Sequence, residues 1–221
     1  MKYPRLVTDR CTFIPGLVKD LDILDIGCVE HDLENRKSGH WLHDCLVKSA
    51  KSVLGLDYEA EQVEAMNREG YHAVAANAED FDLGRTFDAV VAGETIEHLL
   101  NPGNFLLSAR KHLEPGGRII LTTPNANCLI YFMENLLLGR EIDNPDHVAI
   151  HSPTTLTLLL NKCGYEVDGV VFLAENTAYC HASPVSKFAV ILKQAVQLTL
   201  GWLRPSICHH MVVIAHRKEK D

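Results

Sequence analysis

Short apolar runs alternate with longer amphipathic stretches from residue 22 to the end of the chain. Ile23–Gly27, Ser52–Asp57, His72–Ala76, Phe87–Ala92, Arg118–Thr123, Tyr165–Leu173 and His210–Arg217 read as strands, apolar runs bounded by turn residues. Between them, Trp41–Ala50, Glu59–Glu69, Pro102–Leu113 and a segment from Pro153 to Cys163 carry apolar residues at helical spacing. Their ends carry matching chemistry. Pro102 stands near a first turn, Ser152 precedes Pro153 as an N-cap, and Gly70 and Gly164 follow the last periodic residues. Glu114-Pro115-Gly116-Gly117 reads as a turn.

Strands that are apolar throughout must be covered on both faces. The pattern therefore predicts an α/β fold, a seven-stranded mostly parallel sheet with helices on both sides. Such sheets bind ligands beyond the carboxyl ends of their strands, at the topological switch point. Here that is the loop after the first strand, in the stretch DILDIGCVEHD (Asp22–Asp32). With 221 residues and no internal repeat, one domain over 1–221 is expected. A long apolar stretch, residues 186–203 (SKFAVILKQAVQLTLGWL), interrupts the alternation and is expected to be a helical insertion between the last two strands. Lys187, Lys193, Gln194 and Gln197 make it amphipathic: a cover helix, a lid, a dimer face or a peripheral membrane contact.

Composition narrows the partners. A net charge of −8 argues against nucleic acid, which is bound through clustered Lys and Arg. The seven cysteines are irregularly spaced with no CxxC, which fits free thiols in a reducing compartment and a cytoplasmic location. The N-terminal stretch MKYPRLVTDRC has no apolar signal region, and no run reaches the ~18 apolar residues of a membrane span. The twelve histidines, His40, His43 and the His209-His210 pair included, lack Cys or acidic neighbours at ligand spacing, so no metal site is expected.

Chemistry gathers at the strand ends. Asp57 closes the second strand, where a carboxylate accepts hydrogen bonds from both hydroxyls of a ribose, or caps the following helix. Asn77-Ala78-Glu79-Asp80 follows the third strand. The fourth runs into Gly93-Glu94-Thr95-Ile96-Glu97-His98, whose acid–histidine pair is a candidate for acid/base work or a solvated pair opening a loop.

In the order LDIGC, GLD, NAED, FDAVVAGETIEHL and LEPGGRIILTTPN, the chain resembles the class I S-adenosylmethionine-dependent methyltransferases, nearest the small-molecule branch that includes the ubiquinone-biosynthesis O-methyltransferases. The resemblance implies a Rossmann-like sheet ending in an antiparallel hairpin, here Tyr165–Leu173 and His210–Arg217, and S-adenosyl-L-methionine as cofactor. It implies that Asp25, Gly27 and Cys28 approach the methionine part of the cofactor. It places Asp57 at the ribose, Tyr58, Asn77, Ala78 and Glu79 beside the adenine, and Gly93 and Glu94 under the transferable methyl. Many members continue GCGTG; Val29-Glu30 departs from that. A bacterial subset tied to cell-surface glycan or natural-product pathways is similar in a GCV-x-H start and a WLH segment, here His31 and Trp41-Leu42-His43. A sulfonium cofactor carries no phosphate, so the loop needs one close backbone approach at Gly27 and no pyrophosphate cradle.

Methyl transfer is an in-line displacement, and a hydroxyl acceptor needs a base. His98 is the first candidate, with Glu97 orienting it; His147 is second, and His151 and His31 follow. Tyr131 and Asn127 are candidates for shaping the substrate site. No (D/N)PP(Y/F) loop follows the fourth strand, so a small-molecule or sugar acceptor methylated on oxygen is expected. The alternatives are a non-catalytic cofactor-binding protein and, disfavoured by the missing G-x-G-x-x-G, an NAD-dependent oxidoreductase.

Overall fold

A computed structural model describes residues 3–30, 36, 39–139, 144–174 and 199–219. The strands are β1 (Leu6–Val7), β2 (Asp22–Ile26), β3 (Ser52–Asp57), β4 (Ala73–Ala75), β5 (Phe87–Gly93), β6 (Leu113–Pro124), β7 (Tyr165–Leu173) and β8 (His210–Arg217). They form one sheet in the order β1-β7-β8-β6-β5-β2-β3-β4. All pairings are parallel except those of β8, which lies antiparallel between β6 and β7. The C-terminal hairpin thus closes one half of the sheet, as expected. The strand count is one higher than expected, because Leu6–Val7 adds a parallel edge beside β7. Two residues are too short a run to leave a periodic signal.

The helices are α1 (Arg10–Leu17), α2 (Leu42–Val47), α3 (Ala60–Arg68), α4 (Pro102–Lys111), α5 (Leu129–Leu138) and α6 (Pro153–Lys162). Strand alternation assigns each side chain to a face. Leu24, Ile26, Val90, Ala92, Ile119 and Leu121 pack with Phe105, Leu106 and Ala109 of α4 and with Leu156 and Leu160 of α6. Ile23, Ala89, Val91 and Ile120 turn the other way and pack with Ile14 of α1 and with Leu42 and Leu46 of α2. The two clusters are the cores of the two layers.

The expected turn Glu114–Gly117 lies inside β6. Phe87 pairs with Leu113 and Ala89 with Arg118, so these four residues loop out as a bulge and the ladder resumes beyond them. Of the expected helical insertion 186–203, residues 199–203 are described and helical, with Trp202 and Leu203 exposed; the rest lies outside the described residues. Among the described residues no helix is long and apolar enough to cross a membrane.

Candidate functional site

The carboxyl ends of β2, β3 and β5 open onto a cavity of about 680 Å³, within the range of small-molecule sites. It is built where the sheet order reverses, with β2 between β3 and β5. Gly27 makes the first turn out of β2. Its φ is +74°, and a Cβ there would stand 2.4 Å from Thr95 Oγ1, so only glycine fits. Its amide donates to Leu56 O at 2.8 Å, tying the loop to β3.

Asp57 stands at the end of β3, 5 % exposed, with Oδ2 accepting from Val29 N–H (3.0 Å) and Oδ1 from Glu59 N–H (3.1 Å). The alternative in which Asp57 secures the start of the following helix is seen directly, in the Glu59 contact. The carboxylate fixes the loop after β2 and the start of α3, and the residue lines the cavity. Tyr58, Asn77 and Ala78 also line the cavity. The Tyr58 ring is mostly exposed, and the Asn77 side chain accepts from Glu79 N–H at 2.9 Å. Glu79 is elsewhere. Its carboxylate accepts from Asn101 N–H and Nδ2 (2.9 and 2.8 Å), securing the start of α4, and it is not part of the cavity wall.

Asp25, Gly27, Cys28, Gly93 and Glu94 all line the cavity. The Cys28 thiol is buried, and burial pushes its pKa well up, which leaves it an inert wall. Glu94 adopts a left-handed conformation (φ 50°), with its N–H donating to Thr122 O (3.0 Å) and Oγ1 (3.1 Å). Its carboxylate lies 3.2 Å from His210 Nε2 and 3.8 Å from an Arg10 guanidinium nitrogen. Burial opposes its charge, but His210 and Arg10 outweigh burial and hold the carboxyl well below the ordinary range. Glu97 is the opposite case. Burial, then the Glu94 charge, pushes its carboxyl up to about 8. Its Oε2 accepts from Thr123 Oγ1 at 3.1 Å, and Oε1 has no hydrogen-bond partner.

The expected pairing of Glu97 with His98 takes a different form. His98 Nδ1 lies 3.2 Å from Asp146 O, so that carbonyl orients the ring. His98 lines the cavity; Glu97 and His147 stand behind it. The His147 ring meets His98 edge-on, centroids 4.7 Å apart. Glu97, His98 and His147 each bring one ligand-type atom within 4.8 Å of the others, as do Asp9, Cys11 and His40. The reason for expecting no metal site, the lack of acidic partners near histidine, therefore does not hold in three dimensions. One carboxylate and two imidazoles can share a divalent cation as readily as a proton. His151 sits beside Asn125 in an isolated bridge, its pKa lowered by burial, and Tyr131 packs on His209; none of the four lines the cavity. Asn127 does not line it either, and His31 lies outside the described residues.

Sequence reading missed Arg10, His43 and Asn144 as cavity residues. Arg10 opens α1, whose N-cap Asp9 accepts from Cys11 N–H at 2.9 Å; that cap was the available signal. Arg10 is the cation of this wall, suited to the carboxylate of an amino-acid ligand. Asn144 and Asp146 come from the loop before α6, which carries no periodicity.

Comparison with known proteins agrees with this geometry. The family described as Methyltransferase domain matches residues 2–170. The human mitochondrial ubiquinone biosynthesis O-methyltransferase is 28% identical over 182 residues, covering 74% of this chain and 47% of its own length. The Aliivibrio fischeri ubiquinone biosynthesis O-methyltransferase is 25% identical over 167 residues, covering 70% of this chain and 68% of its own. The chain thus spans about half the length of the human relative. Magnesium protoporphyrin IX methyltransferase from Synechocystis, solved with bound S-adenosylhomocysteine, shares the fold at a TM-score of 0.59 and 12% identity, covering 93% of this chain and 78% of its own. Sheet order and family match converge: the chain belongs to the methyltransferase domain family.

Proposed function

We propose that this protein transfers the methyl group of S-adenosylmethionine to an oxygen of a small-molecule or sugar acceptor, with His98 as the base. The observation that carries this reading is the run of the cavity wall. From Gly93 and Glu94, where the methyl is expected, it continues into His98, Leu99, Asn144 and Asp146. Asp57 is placed to hold the ribose, Tyr58, Asn77 and Ala78 to border the adenine, and Arg10 to take the methionine carboxylate. The cofactor supplies the electrophilic methyl; the chain aligns it and manages the acceptor proton.

With its Nδ1 proton given to Asp146 O, a neutral His98 ring presents the Nε2 lone pair to the cavity. That nitrogen takes the hydroxyl proton as the oxygen attacks. Burial and the Glu94 charge push the Glu97 carboxyl up to about 8, so it is a weak counter-charge beside the imidazole at neutral pH. Oxygen as the attacking atom is supported by the names of the two ubiquinone-biosynthesis relatives and by the absence of a (D/N)PP(Y/F) loop after β5.

The test is release of S-adenosylhomocysteine with panels of phenols, hydroxy acids and sugars, with the product mass read in parallel. An accepted substrate gains one methyl, and His98→Gln lowers kcat by about a hundredfold or more while cofactor affinity holds. Turnover with amines alone, or a His98→Gln variant with full kcat, overturns the reading. Repeating the assay in EDTA separates the two uses of the histidine cluster. Unchanged turnover leaves His98 acting by itself, and a loss restored by added Zn²⁺ or Mn²⁺ points to a cation among Glu97, His98 and His147.

A further inference from the structure

A buried carboxylate–imidazole pair lies under the cofactor end of the cavity, away from the acceptor side. Asp25 follows Ile23 in the alternation of β2 and so turns to the face covered by α1 and α2. There α2 presents His43, between the core residues Leu42 and Leu46. His43 Nδ1 lies 2.8 Å from Asp25 Oδ2, and the two residues are 1 % and 3 % exposed. Gly55 is in register with Asp25 on β3. A Cβ at Gly55 would stand 3.1 Å from His43 Cε1, so the missing side chain makes room for the ring. Trp41 and Tyr71 pack on the imidazole, each with ring centroids 5.5 Å from it. Within this enclosure His43 Nε2 has no hydrogen-bond partner. A buried ring nitrogen without a partner is destabilising, so the ring is not there for packing efficiency.

Both residues line the cavity. Burial is the strongest influence on Asp25 and raises its pKa, and Asp57 on β3 adds to that. Against burial stand the hydrogen bond and charge of His43, then Arg10 on α1. The neighbouring Cys28 thiol is itself pushed up by burial and carries no charge to compete, and Tyr71, whose hydroxyl bonds Asp44 at 3.1 Å, is likewise raised by burial and neutral. Of the other acids that line the cavity, Glu94 is held by Arg10 and His210, Asp57 by the Val29 and Glu59 amides, and Glu30 and Asp146 stand on the loops after β2 and before α6. Asp25 lines the cavity two residues before Gly27, and the His43 contact is the strongest influence that favours its charge there.

We propose that His43 is a positioning residue for the cofactor: its Nδ1–H holds Asp25 as a carboxylate turned to the cavity, where it receives the α-ammonium group of S-adenosylmethionine. No proton moves in the binding step; the ring keeps its proton on Nδ1 and the ligand keeps its own. The proposal concerns the cofactor alone, so its failure leaves the acceptor chemistry untouched, and the reverse holds as well.

Calorimetric titration of S-adenosylmethionine, S-adenosylhomocysteine and 5′-methylthioadenosine, the last lacking the amino-acid portion, tests this across roughly pH 5 to 7, where the ligand's own amine and carboxylate keep their charges. Wild type is expected to lose affinity for the first two ligands toward acid pH, with 5′-methylthioadenosine not following. In His43→Leu that acid limb moves up by about one pH unit. The first two ligands then bind about tenfold more weakly near neutrality, while 5′-methylthioadenosine is held as before. His43→Asn, whose amide N–H stands where Nδ1–H does, restores both the limb and the affinity. Equal weakening of all three ligands in His43→Leu shows a ring that only supports the cavity and overturns the proposal, as does an acid limb that stays in place. Should the leucine variant fail to fold, His43→Asn against Asp25→Asn decides. The first is expected to keep the limb and the second to lose it; the same profile in both overturns the proposal.

Discussion

At the scale of single residues, the site is a set of acids sorted by their surroundings. Asp57 is shared between two backbone amides, Glu94 is held charged by His210 and Arg10, and Glu97 is driven toward its neutral form. The Glu97 carboxyl is raised in the folded state, so its contribution to stability is full below the ordinary carboxylate pKa and is lost as pH rises through about 8. Glu97→Gln removes that loss: its thermal midpoint, followed by circular dichroism, is expected to rise relative to wild type between pH 6 and 9. A difference that is flat with pH contradicts the assignment. The places of Gly27 and Asp57 were legible in the sequence because each stands at a strand end. Glu79 was not. Its position beside the cavity follows from β4, but its carboxylate turns to Asn101 because α4 offers two donors there. The Asp25–His43 pair was invisible for a related reason. Each residue could be read, but their meeting depends on which face α2 covers.

At the scale of elements, local chemistry and periodicity carried most of the fold. Helix α6 is the clearest case. Ser152 Oγ accepts from Thr155 N–H at 3.1 Å, and Thr155 Oγ1 accepts from Ser152 N–H at 2.9 Å, closing a reciprocal cap. Leu156 and Leu160 then carry the helix into the core. Ser152→Ala is expected to cost about 1 kcal/mol, or roughly 2–4 °C in melting temperature for a chain of this length, without changing cofactor affinity. β7 and β8 matched their expected bounds because both are long, apolar and flanked by breaks. β1 is held by pairing with β7 rather than by any pattern of its own, and the bulge in β6 appears as a turn to any reading that sees no partner strand.

At the scale of the whole molecule, the sheet order creates the switch point, the switch point creates the cavity, and the N-terminal helix delivers Arg10 to it. A ligand that binds only the folded chain stabilises all of it. S-adenosylhomocysteine at a hundred times its dissociation constant is expected to add about 2.7 kcal/mol, seen as a rise of several degrees in melting temperature, with NAD giving none. The most direct measurement is titration of S-adenosylmethionine and S-adenosylhomocysteine into wild type and Asp57→Ala by calorimetry. Wild type is expected to bind both, one molecule per chain, and the variant to lose about tenfold to a hundredfold in affinity through the missing ribose hydrogen bonds. A wild type that binds neither, or a folded Asp57→Ala that binds both as tightly, contradicts the assignment of this cavity to the cofactor.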